Sequence, residues 1–366
     1  MGVISFARGV PAPECLPVSE LADCARAAIE SDGAAVLSYG PGGGYAPLRE
    51  WIAARHGVEP ARVVITSGSL QGFVFLVDQI VQRGSRVLVE APTYDRPLKI
   101  LTRLGAEIVG LPMDDDGLEI DALERALAEG EKPAFLYTIA TFQNPSGRTL
   151  SAHRRARIVE LAREHELLVL EDDPYGLVRY EGEAPPTIFE LEGGTNVVYA
   201  SSFSKTIAPG VRVGYFVLPP ELAAQIEARA VSTYISPPFL TQAAVYEFVR
   251  RGNFEPNLER VTGLLRTRRD AMLEALEQHM PAGATWSRPE GGYFIWLDLP
   301  DETGDLLVRA EAAGVTFVPG TDFFAGGGGT RSLRLAFSFV SPEEIAEGVS
   351  RLAGLLRGAP APAPTL

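Results

Sequence analysis

The chain predicts an α/β protein, a large unit on a mainly parallel central sheet joined to a smaller α+β unit, and three observations carry this. Between Arg62 and about Arg250, strand-like runs such as RVVIT, RVLVEA, AFLYT, ELLVLEDD and NVVYA alternate with helix-like runs, the pattern of successive βαβ units. Beyond residue 255 the order changes to one long arginine-rich helix, to about His279, then three strands with helices between and after them. The 366 residues, 46% hydrophobic, supply material for one large core and a smaller one. The expected division is 40–255 for the large unit and 1–39 with 256–357 for the small one, with the tail GAPAPAPTL, 358–366, disordered.

Taken in order, VISFARGVPAPECLP reads as a short strand and a proline-punctuated loop, followed by a helix from near Ser19 to near Gly33. SYGPGGGYAPLREWIAARHG is a glycine run entering an amphipathic helix that stops at Gly57. RVVIT is a strand, and SGSLQGFVFLVDQIVQRG a turn running straight into a helix, with Ser69 and Gln71 at its start. Unpaired amides there suit either a phosphate or an ordinary serine cap. RVLVEAPTYDRPLKIL ends its strand in Pro92, Thr93 and Tyr94, a tyrosine that on its own reads as packing. AFLYT leads to the loop Asn144-Pro145-Ser146-Gly147, by itself a plain turn, and then a long helix. ELLVLEDDPYGLVRY ends a buried strand in Asp172 and Asp173, at the sheet edge where ligands collect in α/β folds. Such paired acids allow metal binding or general acid work, but no histidine or third carboxylate stands at ligand spacing, so no metal is expected. Of the three last strands, in GATWSRPEGGYFIWLDLP, VTFVPG and RSLRLAFSFV, the third carries Arg334 in apolar company. An unpaired charge there would be costly, unless the strand's alternation turns it to the surface.

The chain has three lysines, Lys99, Lys132 and Lys205, among 33 basic residues. Lys99 and Lys132 lie in surface-like contexts. Lys205 follows the strand NVVYA in SSFSKTIAPGVRVGY, among Ser201, Ser202, Ser204 and Thr206, with Pro209, Gly210 and Arg212 beyond. An amine whose surroundings lower its pKa attacks carbonyls and forms a Schiff base. The hydroxyls and the arginine could hold a phosphate beside it. A carbonyl cofactor carrying a phosphate is pyridoxal 5′-phosphate.

At these residues the sequence resembles the fold-type I pyridoxal-phosphate enzymes, specifically class I/II aminotransferases near the 2-aminoadipate aminotransferase branch. The likeness runs from about Ile4 to about Leu355, through SGSLQG, TFQNPSG, EDDPY, SFSKTIAPGVRVGY and LRLAF in the family's order. It implies that Lys205 is the Schiff-base lysine and general base, and that Asp172 pairs with the pyridine nitrogen. It implies that Tyr94 stacks on the ring, that Asn144 and Tyr175 hydrogen-bond the ring oxygen, and that Arg334 grips the substrate's α-carboxylate. Ser69, Gln71, Ser202, Ser204 and Arg212 then belong to the cofactor set, with Tyr39 reaching the phosphate of a neighbouring subunit in a homodimer. The family's loop pattern F-A-G-G-x-P has Arg8 in place of its first glycine. Arg8 is either a tolerated surface residue or a guanidinium in the pocket that pairs with an acidic side chain.

The expected activity is ping-pong amino-group transfer between an L-amino acid and a 2-oxo acid. The alternative is another pyridoxal-phosphate reaction at the α-carbon, such as elimination, cyclisation or racemisation. A third reading, an effector module behind a winged-helix domain, would need residues ahead of Met1 or a basic surface. The net charge of −14 argues against nucleic acid as a partner. With no membrane-length apolar run and no basic, apolar leader, a cytoplasmic protein is expected, and the resemblance implies a part in amino-acid biosynthesis. Cys15 and Cys24 have no paired spacing.

Overall fold

The computed structural model describes residues 2–357, so the tail 358–366, expected to be disordered, lies outside the described residues. The chain runs β1 (Ile4–Ser5), α1 (Val18–Val36), α2 (Ala46–His56), β2 (Val63–Thr66), α3 (Ser69–Ile80), β3 (Arg86–Ala91), α4 (Asp95–Leu104), β4 (Glu107–Asp114), β5 (Gly117–Leu118), α5 (Ile120–Ala128), β6 (Phe135–Thr138), α6 (Ala152–Glu164), β7 (Val169–Asp172), α7 (Ile188–Glu192), β8 (Val197–Ser202) and β9 (Gly214–Val217). It continues with α8 (Pro220–Tyr234), α9 (Phe239–Arg250), α10 (Phe254–His279), β10 (Thr285–Trp286), β11 (Phe294–Asp298), α11 (Leu306–Ala312), β12 (Val315–Thr316), β13 (Val318–Pro319), β14 (Ser332–Ala336) and α12 (Pro342–Leu356).

Eight strands form the main sheet in the order β2-β9-β8-β7-β6-β3-β4-β5. Pairing is parallel from β4 through β3, β6 and β7 to β8. It is antiparallel where β9 joins β8 and β2, and where β5 joins β4. Helices cover both faces, so the inner strands read as continuous apolar runs rather than alternating ones. Leu48, Ile52, Ile158 and Val197 belong to the core on one face; Phe73, Leu76, Tyr137 and Phe216 belong to that on the other. Because these strands share a direction, the segments after β2, β3, β6, β7 and β8 emerge at one edge of the sheet, the place where ligands bind in such folds.

A third core fills the space between α10, α12 and a four-stranded antiparallel sheet ordered β10-β11-β14-β13. α12 starts with a capping box in which Ser341 and Glu344 satisfy each other's backbone amides. The expected single strand in VTFVPG divides at Phe317: β12 pairs in parallel with β1, whereas β13 pairs with β14. Residues 1–39 also divide. Ile4, Phe6, Ala12 and Cys15 pack in this smaller core, but Cys24, Ala28 and Val36 of α1 pack in the core of the main sheet, beside Ala243 of α9. Thus α1 buries its apolar stripe in the core of the main sheet, whereas the segment ahead of it packs in the smaller core.

Candidate active site

The segments at that edge enclose a cavity of about 440 Å³. Lys205 lies on its wall, in the turn after β8, with Nζ donating to the Gly9 carbonyl at 2.7 Å. Nζ also stands 5.3 Å and 5.8 Å from the ring centres of Tyr293 and Tyr175. Burial lowers the lysine to about 8, and the charges of Arg334 and Arg212 act in the same direction. A far larger share of this amine than of an ordinary lysine is thus neutral near physiological pH, the form that attacks a carbonyl or removes a proton.

Across the cavity, Asp172 terminates β7. Its Oδ2 accepts the Tyr137 hydroxyl at 2.8 Å, whereas Oδ1 is buried with no partner among the described residues. Burial lifts this carboxyl to about 7; the Tyr137 hydrogen bond opposes the shift, and Asp173 and Glu90 add to it. An orphaned buried acceptor on a cavity wall requires a donor from a ligand, and a protonated pyridine nitrogen supplies one. Asp173 faces elsewhere. Its carboxylate accepts from the Tyr199 hydroxyl and the Gly176 amide, both at 2.8 Å. The two adjacent acids therefore do not act as a dyad: successive strand residues point to opposite faces.

A second group of donors gathers where α3 begins. Gly68, Ser69, Ser202, Ser204 and Arg212 all line the cavity. The N-terminal amides of α3 have no side-chain cap, which leaves them for an anion. Arg212 takes left-handed backbone angles (φ 51°) and donates to the Pro209 and Ser67 carbonyls. A Cβ on Gly68 would come within 2.3 Å of the Arg212 guanidinium, and one on Gly214 within 2.4 Å of the Ser69 nitrogen. Gln71 is turned away: its Oε1 accepts the Ser67 amide at 2.7 Å, and it shapes the turn without lining the cavity.

Arg334 projects from β14, where it sits opposite Trp296 on β11 and Val318 on β13. Contrary to a surface reading it is buried, stacked over Phe294 at 4.2 Å, and donates to Asn144 Oδ1 at 3.0 Å and to the Ala7 carbonyl. Its Nε has no partner. Tyr94 and Tyr175 line the same cavity, and burial raises both phenols. Two predicted residues stand outside. Arg8 does not line the cavity; its guanidinium lies 5.4 Å over the Phe339 ring, because Gly9 and Val10, not Arg8, face inward. Tyr39 is 82% exposed, on the loop after α1.

Several groups had no sequence signal. Tyr137 sits in an apolar run whose two faces are both covered, so alternation does not single it out. Glu90, buried at the end of β3, accepts from Thr138 Oγ1 at 2.5 Å, the Ile139 amide at 3.2 Å and Gln143 Nε2 at 2.9 Å. Gln143 also donates to the Pro92 carbonyl and accepts the Ser146 amide, both at 2.8 Å. This network ties the loop that carries Tyr94 to the loop that carries Asn144. An EA step at a strand end and a glutamine before Asn-Pro were the only hints.

Phosphate donors, a ring-nitrogen acceptor, an aromatic wall and a near-neutral amine in one cavity fit pyridoxal phosphate. The family model of class I and II aminotransferases matches residues 4–352. The chain is 40% identical to the 2-aminoadipate transaminase of Thermus thermophilus, with 98% of this chain and 91% of that protein covered. It is 37% identical to aromatic-amino-acid aminotransferase 1 of Thermococcus litoralis, over 97% and 88%. A crystal structure of the alpha-aminoadipate aminotransferase of Thermus thermophilus, complexed with N-(5′-phosphopyridoxyl)-L-leucine, superposes with a TM-score of 0.93 at 39% identity, covering 98% of this chain and 92% of that one. Fold, cavity and sequence agree, and the chain belongs to the class I and II aminotransferases, fold-type I enzymes that use pyridoxal phosphate to move an amino group between an amino acid and a 2-oxo acid.

Proposed function

We propose that the transfer takes place at Lys205, in a cytoplasmic homodimer serving amino-acid biosynthesis. The observation that carries this reading is the pairing, within one cavity, of a buried amine lowered to about 8 and the orphaned acceptor Oδ1 of Asp172. When bound, pyridoxal phosphate supplies the electron sink that makes the substrate's α-proton removable. Lys205 Nζ takes that proton and gives it back as an acid, the exchange its near-neutral pKa favours. Asp172 Oδ1 accepts the ring N–H and holds it in place. Ser69, Ser202, Ser204, Arg212 and the α3 amides hold the phosphate, with Tyr39 of a second copy completing that set, while Gln71 fixes the turn. Tyr94 covers one ring face, and Tyr175 and Asn144 donate to the ring oxygen. Arg334 binds the α-carboxylate, which replaces the weak company its guanidinium now keeps.

The large cofactor-binding unit is then the α1-to-α9 body, and the sheet β10-β11-β14-β13 with α10 and α12 is the smaller unit that brings Arg334 to the cavity. The test is to mix cofactor-loaded protein with single amino acids and identify products by mass spectrometry. A matching 2-oxo acid, with an amino group delivered to an added acceptor, is expected. Lys205→Ala should abolish both the visible absorbance of the bound cofactor and turnover; full activity in that variant would refute the assignment.

A further inference from the structure

Four cationic side chains line the cavity: Lys205, Arg212, Arg334 and Arg96. The proposed reaction employs three of them, for the amine, the phosphate and the α-carboxylate. Arg96 has no task. It is the second residue of α4, two positions after Tyr94, with its side chain 58% exposed at the cavity mouth. Its one ion-pair neighbour is Asp95, whose Oδ2 lies 3.7 Å from Arg96 Nε but accepts Lys99 Nζ at 2.6 Å. Asp95 is thus already committed to Lys99. Of the described residues lining the cavity, Asp172 is the one carboxylate, and it is buried at the end of β7. The acids Asp95 and Asp322 act on Arg334 but do not line the wall. Arg96 and Tyr94 line the cavity together with Arg334, and the charges of both arginines act on the Tyr94 phenol.

We infer that Arg96 is a specificity-determining residue that receives an anionic group at the end of the substrate's side chain, so that the enzyme prefers dicarboxylic amino acids and their 2-oxo acids. This rests on the aminotransferase reading. Arg8 does not compete for the role, since its guanidinium is taken up by the Phe339 ring. A guanidinium at a half-open mouth is screened by salt, so the preference must weaken as ionic strength rises.

The experiment compares substrates that differ only in their terminal group: 2-aminoadipate against norleucine, and glutamate against norvaline. In the cofactor-loaded wild type, the kcat/KM ratio of dicarboxylate to methyl-ended partner should exceed one and fall with added salt. In Arg96→Gln both ratios should drop about tenfold, the factor that 1.4 kcal/mol supplies, whereas Arg96→Lys should retain most of the preference. Ratios equal in wild type and Arg96→Gln overturn the inference. Binding of glutarate relative to valerate, measured by calorimetry on the same loaded proteins, asks the question without turnover and should show the same tenfold loss. Failure of every amino acid to yield its 2-oxo acid would sink the aminotransferase reading instead, and the glutarate-to-valerate ratio would still decide the role of Arg96.

Discussion

Replacing Asp172 by Asn should make the cofactor-free protein more stable at pH 8 while weakening its hold on pyridoxal phosphate. Burial lifts the Asp172 carboxyl from 3.8 to about 7, and its Oδ1 has no partner. A carboxyl that binds its proton more tightly folded than unfolded contributes stability that is fully present below pH 3.8 and lost as pH rises through about 7. At about 1.4 kcal/mol per unit, the loss between pH 5 and pH 8 amounts to about 3 kcal/mol. Asparagine has the same shape, still accepts the Tyr137 hydroxyl and does not titrate. Glu171, a neighbouring buried acid that does not act on Asp172, is common to both proteins and cancels in the difference. Urea unfolding of the apoproteins at pH 5 and pH 8 should therefore show the stability difference shifting by about 3 kcal/mol in favour of Asp172→Asn. The same variant should bind pyridoxal phosphate about 100-fold more weakly, as expected when a buried charge pair loses one member. A difference independent of pH, or one favouring the wild type at pH 8, would refute the idea that Asp172 is a buried charge held for a ligand.

The rate at which apoprotein takes up pyridoxal phosphate should rise about tenfold per pH unit below about 8 and level off above it, because Lys205 must lose its proton to react. Stopped-flow absorbance measures this, and a flat profile from pH 6 to pH 9 would contradict the lowered amine. Gln143→Ala should cost about 2 kcal/mol of stability by leaving Glu90 and the Ser146 amide short of partners. It should also raise KM for the amino acid more than it lowers kcat, since the loop bearing Asn144 loses its tie; equal changes in both would assign the network to stability alone. Tyr39→Phe should weaken cofactor binding about fivefold, the worth of one hydrogen bond of about 1 kcal/mol. An unchanged dissociation constant would remove Tyr39 from the cofactor set.

The order of elements was legible where strand-like and helix-like runs alternate, at β2, β3, β6, β7 and β8; β5 and β9 each follow another strand with no α-helix between, which breaks that pattern. Lys205, Asp172 and Arg334 could be picked out because each breaks its surroundings: a lysine in a chain of arginines, a charge at the end of a buried strand, a charge inside an apolar strand; Asn144 lies in what reads by itself as a plain turn, and only the family resemblance pointed to it. Tyr137 and Glu90 do not stand out in this way, since their polar atoms are satisfied by partners 35 and 48 residues distant in the sequence. Arg8 shows the converse. A charged residue beside inward-facing Gly9 suggests a role in the pocket, but the chain direction there sends its side chain to Phe339. The packing partners of Gln71 and α1 were not legible for a related reason, because a helix start and an amphipathic stripe each admit more than one neighbour.

The glycines around the phosphate donors divide the cavity into two walls that differ in their tolerance of change. At Gly68 and Gly214 even one added methyl meets the Arg212 guanidinium or the Ser69 backbone, so this wall can vary only with simultaneous rearrangement of its neighbours. The mouth is lined by Val10 and Arg96, both exposed, where a new side chain displaces only solvent. Substitution can therefore proceed at the mouth while the cofactor's end stays fixed, and a library confined to positions 8, 10 and 96 should yield folded, cofactor-loaded proteins with altered substrate choice far more often than one of equal size at positions 68 and 212–214.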